Sequence, residues 1–189
     1  MTVKHLRNIY QIKVVLNGAK PPIWRRLLVP SNLTLGRFHT VLQVAMGWTD
    51  SHLHQFIADG VFYGIPDEEM DFGMEVKNEN KFKLSQLLKS EKDSLIYEYD
   101  FGDGWEHKVT LEKILPYGSD ISLPQCIKGK RACPPEDCGG IWGYHDLLGI
   151  ISDPENPEYE STLEWLGEDF DPEALDLDEI NALLIEYCR

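Results

Sequence analysis

Long apolar runs, closely spaced cysteine pairs and positive charge are what this sequence lacks. Every apolar stretch is far shorter than the roughly 20 residues that cross a bilayer as a helix. Residues 1–8 are polar and basic, but no apolar segment of the length found in secretory signals follows them. We therefore expect a soluble cytoplasmic protein that makes no contact with a membrane.

Positive charge is scarce, because 18 Lys and Arg face 32 Asp and Glu, for a net charge of −14. Acidic residues are in turn absent from 1–49, which contains seven basic residues, whereas 116–189 contains four basic and 17 acidic residues. The asymmetry has two interpretations: a basic sheet edge that packs against acidic helices, or a basic patch for an anionic ligand. We prefer the first, because seven charges over 49 residues are not a dense cluster.

The hydrophobic content of the sequence is sufficient for the core of a globular protein. Of the 189 residues, 42% are hydrophobic and 11% aromatic, which is too apolar for a disordered chain. This length fits one domain. We expect a single domain over 1–189, with 116–189 as a candidate sub-lobe because Pro, Gly and Cys become frequent there.

Apolar periodicity and turn residues predict the secondary structure. Thr34 and Gly47 are suited to begin and end a helix, and Asp59-Gly60 is typical of a tight hairpin turn. The predicted strands are 8–16, 23–29, 52–58, 61–65, 94–101 and 105–115, and the predicted helices are 35–46, 84–89, 144–151, 161–166 and 177–187. This order indicates an α+β fold with a mainly antiparallel sheet of two or three strand pairs, a helix after the first pair, and a helical, acidic C-terminal part.

His52 and His54 are the first candidate metal ligands. On a strand, residues two apart point to the same side, with Cα atoms about 6.5–7 Å apart. Two imidazoles in that arrangement can share zinc or another divalent cation. The alternative interpretation is two polar residues on the solvent face of a strand.

The turn that contains Asp100, Asp103 and His107 is the second candidate. A carboxylate beside an imidazole fixes its tautomer, as a general base or a metal ligand requires. The alternative, which we prefer, is turn chemistry, because Asp side chains bond to nearby backbone N–H groups and Asp-Gly favours hairpin loops.

Three of the four cysteines, Cys126, Cys133 and Cys138, lie in the segment rich in Pro and Gly. Their spacing lacks the close pairs of most zinc sites. They could bind a metal together with one more ligand, form a disulfide, or remain buried structural thiols, and the last outcome is the commonest. The candidate fourth ligands are His107, His145, Glu136 and Asp137.

Basic residues of the N-terminal part form the candidate partner surface. We expect Lys13, Arg25, Arg26 and Arg37 to lie on one exposed face and to contact a protein or a nucleic acid. Trp24 beside the arginines could stack on bases.

Six segments of the chain, in order, resemble the plasmid pRiA ORF-three-like family. They are 21–26 (PPIWRR), 42–48 (LQVAMGW), 52–56 (HLHQF), 99–107 (YDFGDGWEH), 133–140 (CPPEDCGG) and 163–167 (LEWLG). The resemblance runs from about Ile9 to Tyr187. It implies a label, TnpR-like passenger protein of insertion elements, but no established activity and no catalytic residues. Recombinase chemistry is not expected, because no serine stands out by its spacing to arginines and the C-terminal part is acidic.

Two functional hypotheses follow. The preferred one is a non-enzymatic binding module of mobile-element origin that contacts its partner through the basic N-terminal sheet. The alternative is a metal-dependent, hydrolase-like enzyme with a cleft bordered by the cysteine segment. Its candidate ligands are His52, His54, Asp100, Asp103 and His107.

Overall fold

The computed structural model describes residues 8–66, 75–118, 121–167 and 170–188. Most predicted elements are confirmed to within a few residues, and helix α1 has the predicted bounds. The strands are β1 (Asn8–Leu16), β2 (Trp24–Pro30), β3 (His54–Ala58), β4 (Val61–Gly64), β5 (Val76–Asn78), β6 (Ser94–Tyr99), β7 (Trp105–Pro116) and β8 (Gln125–Lys130). The helices are α1 (Leu35–Met46), α2 (Leu84–Leu87), α3 (Gly140–Ile151), α4 (Tyr159–Leu166) and α5 (Leu177–Tyr187), with a 3-10 turn at Glu79–Lys81.

All eight strands join in one sheet, in the order β5-β4-β3-β6-β7-β1-β2-β8. Every neighbouring pair is antiparallel except β4 and β5, which are parallel, so the sheet is mixed. The α+β class is confirmed, but the sheet is larger than the predicted two or three strand pairs and is mixed rather than simply antiparallel. The hairpins merge because β1 pairs with both β2 and β7.

Two strands were missed from the sequence. β8 lies in the segment rich in Pro and Gly, and β5 lies in the stretch 66–81, expected to be a loop, of which 67–74 is outside the described residues. Both are short edge strands with little apolar alternation. β8 is held in the sheet by pairing with β2, and β5 by pairing with β4. Such pairing between distant segments cannot be read from the local sequence.

One face of the sheet carries the core. Alternate residues of β1 and β7 are buried, and α1 packs over the same face, where Phe38 stacks on Phe56 of β3 at 6.1 Å between ring centres. The buried strand residues include Ile12, Val14, Leu27, Val29, Tyr97, Tyr99, Trp105, Val109 and Leu111. The opposite face carries the polar residues of the same strands.

The predicted cap and turn residues act as expected. The Thr34 side chain accepts a hydrogen bond from the Arg37 N–H at the start of α1, and Gly47 ends α1 in the left-handed conformation at φ 105°. Asp59 and Gly60 both have positive φ, as a two-residue hairpin turn requires. In the described part of the chain, every helix is too short or too polar to span a bilayer.

Candidate metal centre

Three carboxylates converge on the ring of His52, which lies just before β3. Its Nε2 atom is 3.3 Å from Asp137 Oδ1, 3.7 Å from Asp100 Oδ2 and 3.8 Å from Glu136 Oε2. Ligand atoms about 2.1 Å from a tetrahedral metal ion lie roughly 3.4 Å from one another. We call these four residues the His52 cluster. The ligand atoms of His52, Asp100 and Asp137 lie within 4.8 Å of one another, as ligands around one cation do, and Glu136 lies beside His52.

Two of these atoms have no hydrogen-bond partner among the described residues. His52 Nε2 and Glu136 Oε2 are both buried and both unsatisfied. A buried polar atom without a partner costs about 1–3 kcal/mol, and more when the group is charged. A cation between these two atoms would remove the cost for both.

Glu136 is oriented by donors to its other oxygen. Oε1 accepts hydrogen bonds from Thr49 N–H and Thr49 Oγ1, both at 2.9 Å, and from the Tyr99 hydroxyl at 3.0 Å. Burial raises the pKa of Tyr99 far above its ordinary value, so the phenol keeps its proton and remains a donor. These three bonds leave Oε2 facing His52.

The two carboxylate oxygens of Asp100 also have different partners. Oδ1 accepts from Gly102 N–H at 2.9 Å and from Asp103 N–H at 3.3 Å, which is the expected turn chemistry. Oδ2 faces His52. The predicted turn chemistry therefore accounts for Oδ1 of Asp100, and Oδ2 belongs to the His52 cluster.

Asp103 lies outside the His52 cluster but holds its two sides together. Its Oδ2 accepts a hydrogen bond from Gly139 N–H at 3.2 Å. The Asp103 carbonyl lies so close to Gly140 that a Cβ atom there would collide with it. Asp103 thus attaches the hairpin to the segment that carries Glu136 and Asp137.

His54 belongs to a different cluster from His52. Its Nε2 lies 2.9 Å from Glu79 Oε2, and its ring stacks on His39 at 3.5 Å between centres. His52 precedes β3, so the strand alternation that would align the two histidines does not extend to it. The structure does not bring these two candidate ligands to one ion.

His107 is fully buried in the core. Its Nε2 accepts from the Trp48 indole N–H at 3.2 Å, and its Nδ1 lies 3.2 Å from the Tyr97 carbonyl, to which Nδ1–H donates. Burial lowers the pKa of His107 to about 4. Both ring nitrogens are occupied, and the structure does not place His107 with His52.

The cysteines are free thiols, and none belongs to a metal cluster in the described part of the chain. Burial raises the pKa of Cys126 and Cys133, and raises that of Cys138 to about 12. Thiols that stay protonated are poor ligands and poor nucleophiles. The cysteines therefore agree with the interpretation as buried structural thiols.

The four basic residues do not share one exposed surface, so that expectation is wrong. Arg25 points to the core face and is only 2% exposed, because strand alternation places it opposite Arg26. Arg26 makes two hydrogen bonds to Glu112, at 2.6 and 2.8 Å, and lies beside Lys13 on the outer face. Arg37 lies on α1.

Sequence reasoning missed Asp50, His39 and Glu79, and considered Glu136 and Asp137 only as partners of the cysteines. One signal was available for His39. It lies four residues before Gln43 on the side of α1 that is otherwise apolar, and both are buried. Two polar residues in an apolar stripe indicate that buried polar partners from other elements lie against them.

The mixed sheet, the helix α1 over its core face and the histidine–carboxylate clusters together define an α+β protein with a candidate metal centre. The chain belongs to the family of plasmid pRiA4b ORF-3-like proteins, whose model matches residues 8–179.

Two relatives have no assigned function. An uncharacterized protein, y4hQ, of Sinorhizobium fredii (strain NBRC 101917 / NGR234) is 38% identical over 92% of this chain and 89% of its own length. The crystal structure of a protein of unknown function, MM3350, from Methanosarcina mazei Go1 is 41% identical, with a TM-score of 0.82 over 92% of this chain and 98% of its own. The TnpR-like and mobile-element labels remain predictions.

Proposed function

We propose that this chain is a metal-dependent hydrolytic enzyme whose divalent cation is held by His52, Asp100 and Asp137, with the Glu136 carboxylate beside His52. One observation carries the proposal: His52 Nε2 and Glu136 Oε2 are buried, face each other at 3.8 Å and have no hydrogen-bond partner among the described residues. Two buried polar atoms that face each other without hydrogen bonds favour a ligand between them.

The donor set selects the kind of cation. One imidazole and two carboxylates, with a third carboxylate beside them, suit Mn²⁺ or Zn²⁺, whereas soft cations prefer thiolates. The three carboxylates carry three negative charges, which a divalent cation reduces to one. The cluster therefore favours a divalent over a monovalent cation.

The exposure of the ligands supports a reactive centre. Asp100 and Glu136 are 10% and 18% exposed at their side chains, whereas Asp137 is 73% exposed. The buried Asp100 would hold the cation from inside, and the side next to Asp137 is open to solvent. An open coordination position is the feature that separates catalytic from structural metal sites.

The chemistry is activation of water. A divalent cation held by His52, Asp100 and Asp137 would supply the Lewis acid that activates a water for attack on a carbonyl or phosphorus centre. Glu136, which lies beside His52 and outside that ligand set, would accept the proton of the water and pass it to the leaving group as the bond to that group breaks.

The first test is calorimetric titration of metal-free protein with Mn²⁺ and with Zn²⁺. His52→Gln and Glu136→Gln should each weaken binding at this site by at least tenfold. His145→Gln is the matched control, because His145 lies on α3 outside both histidine clusters. Equal affinities for the wild type and His52→Gln would refute the site.

The second test concerns hydrolysis. The metal-loaded protein is assayed against model esters and phosphoesters, with His52→Gln beside the wild type. We expect turnover in the wild type that the variant loses. Metal binding without any metal-dependent turnover would refute the enzymatic part of the proposal.

A binding role for the outer face is the second candidate, and the environment of Trp24 favours it. Lys13 Nζ lies 5.2 Å and Arg26 Cζ 5.4 Å from the centre of its ring. Fluorescence anisotropy with single-stranded oligonucleotides tests this role. Binding that weakens with salt and is lost in Trp24→Ala supports it, and no binding at low salt refutes it for nucleic acids.

A further inference from the structure

A second group of ligand atoms lies around His39, next to the His52 cluster but distinct from it. One ligand atom each from His39, Asp50 and His54 lies within 4.8 Å of the others. His39 Nε2 is 2.8 Å from Asp50 Oδ1, and His54 Nε2 is 2.9 Å from Glu79 Oε2. We call these four residues the His39 cluster.

The two imidazole rings of the His39 cluster lie face to face. Their centres are 3.5 Å apart and the rings are almost parallel, at 6°. Two positive charges at this distance would repel strongly.

The carboxylates nevertheless need positive charge. The Glu79 side chain is only 3% exposed, and His54 is the only basic group within ion-pair distance of it among the described residues. A buried carboxylate without a full counter-charge is costly. A divalent cation held between the two histidines would supply two positive charges beside the carboxylates of Asp50 and Glu79.

Neighbouring polar groups hold the ligands in the orientation that a cation requires. The Tyr97 hydroxyl lies 2.8 Å from His39 Nδ1, which leaves Nε2 facing the cluster. Gln43 donates from its amide to the same hydroxyl at 2.8 Å, and its Oε1 accepts from Asp50 N–H at 2.8 Å. One amide thus fixes both a histidine and a carboxylate, as the outer partners of metal ligands do.

We propose that His39, His54 and Asp50 bind a second divalent cation, with Glu79 as the buried carboxylate that orients His54. Two imidazoles and one carboxylate select borderline cations such as Zn²⁺, Fe²⁺ or Co²⁺ over Mg²⁺ and Ca²⁺. The Asp50 side chain is 63% exposed and gives the cation access from solvent.

The two cations occupy separate sites. The His52 ring contacts Tyr99 and the His54 ring contacts Tyr97, and these tyrosines are alternate residues of β6. Alternate residues of a strand are about 7 Å apart, whereas metal ions that share a bridging ligand are about 3.5–4 Å apart. This inference does not depend on the His52 cluster, and the chain should bind two cations independently.

The test is titration of the metal-free protein with Co²⁺, followed by its visible absorption and by calorimetry. The wild type should bind two equivalents, and His39→Gln should bind one. Asp50→Asn changes an exposed side chain, so it should leave the fold intact and weaken one equivalent by at least tenfold. Asp59→Asn is the matched control, because it changes an exposed aspartate outside both clusters and Asn also tolerates positive φ.

The variants separate this inference from the proposed function. If the wild type binds one equivalent of Co²⁺, and His52→Gln loses it while Asp50→Asn keeps it, the second site is refuted and the first remains. If Asp50→Asn loses that one equivalent while His52→Gln keeps it, the first site is refuted and the second remains. No Co²⁺ binding in the wild type refutes both.

Discussion

Asp100 and Glu136 each use one carboxylate oxygen for the fold and the other for the candidate site. Oδ1 of Asp100 closes the hairpin turn, and Oε1 of Glu136 accepts three hydrogen bonds. The second oxygen of each residue is thereby fixed near His52 before any cation binds. Less conformational entropy is lost on binding when the ligands are already in place.

At the residue scale, His107 should make stability depend on pH. The unfolded chain protonates this histidine near pH 6.5, whereas the folded chain resists protonation until about pH 4. The unfolded state therefore binds more protons in this window, and stability falls as pH falls through it, by on the order of 3 kcal/mol. Above pH 6.5 the effect is absent.

The measurement is urea denaturation at several pH values between about 7.5 and 4.5. His107→Gln is the comparison, because an amide can still accept the Trp48 N–H but does not titrate. The wild type should lose more stability than the variant across this range. Parallel pH curves for the two proteins would contradict the assignment.

At the element scale, Arg25 connects three elements. Its guanidinium donates to the carbonyls of Ala45 and Met46 at the end of α1, at 2.7 and 3.4 Å, and to Lys130 of β8 at 3.2 Å. A helix C-terminus has carbonyls without intrahelical partners. Arg25 satisfies two of them from β2 and so fixes α1 against the sheet, with His39 on it.

Arg25→Lys should therefore destabilise the protein by roughly 3 kcal/mol, because an ammonium cannot reach carbonyls in three directions and leaves buried acceptors unpaired. Arg26→Lys, one residue further along β2, should cost less than about 1 kcal/mol because its ion pair is partly exposed. Urea denaturation midpoints measure both. Equal losses in the two variants would contradict this role.

At the scale of the whole molecule, the sites depend on long-range packing. The His52 cluster takes residues from the approach to β3, from the β6–β7 turn and from the segment before α3. The His39 cluster takes residues from α1, from the loop after it, from β3 and from the 3-10 turn. Because the fold brings these segments together, we expect cation binding to be coupled to folding.

The thermal midpoint should rise when a cation binds. One site at a free cation concentration of 100 times Kd adds about 2.7 kcal/mol, which is roughly 5–10 °C for a chain of this size. Differential scanning calorimetry with Zn²⁺ and with chelator measures the shift. His52→Gln should lose part of it, and identical midpoints with and without cation would contradict both metal sites.

Local sequence predicted the elements whose causes are local. Thr34 and Gly47 bound α1, and Asp59-Gly60 forms its turn, because capping and positive φ depend on adjacent residues. The same reasoning failed for β8, whose sequence QCIKGK lacks alternation. It becomes a strand through hydrogen bonds to β2 across the sheet.

The candidate site was predictable only in part, because it too depends on contacts between residues that are distant in the sequence. His52 and Asp100 were identified by residue type, but their grouping with His54 and His107 assumed that neighbours in sequence share a face. A change of one position moves a side chain to the opposite face of a strand, and His52 lies outside β3 altogether.

The sequence by itself determined the α+β class, the family and most element boundaries, because periodicity, caps and turns act over a few residues. Tertiary structure alone decided which of those elements meet in one sheet. It also decided that Arg25 is buried while Arg26 lies on the outer face, and that Glu136 rather than His54 faces His52. These outcomes depend on distances between residues remote in the chain, and such distances are set by the packing of the whole fold.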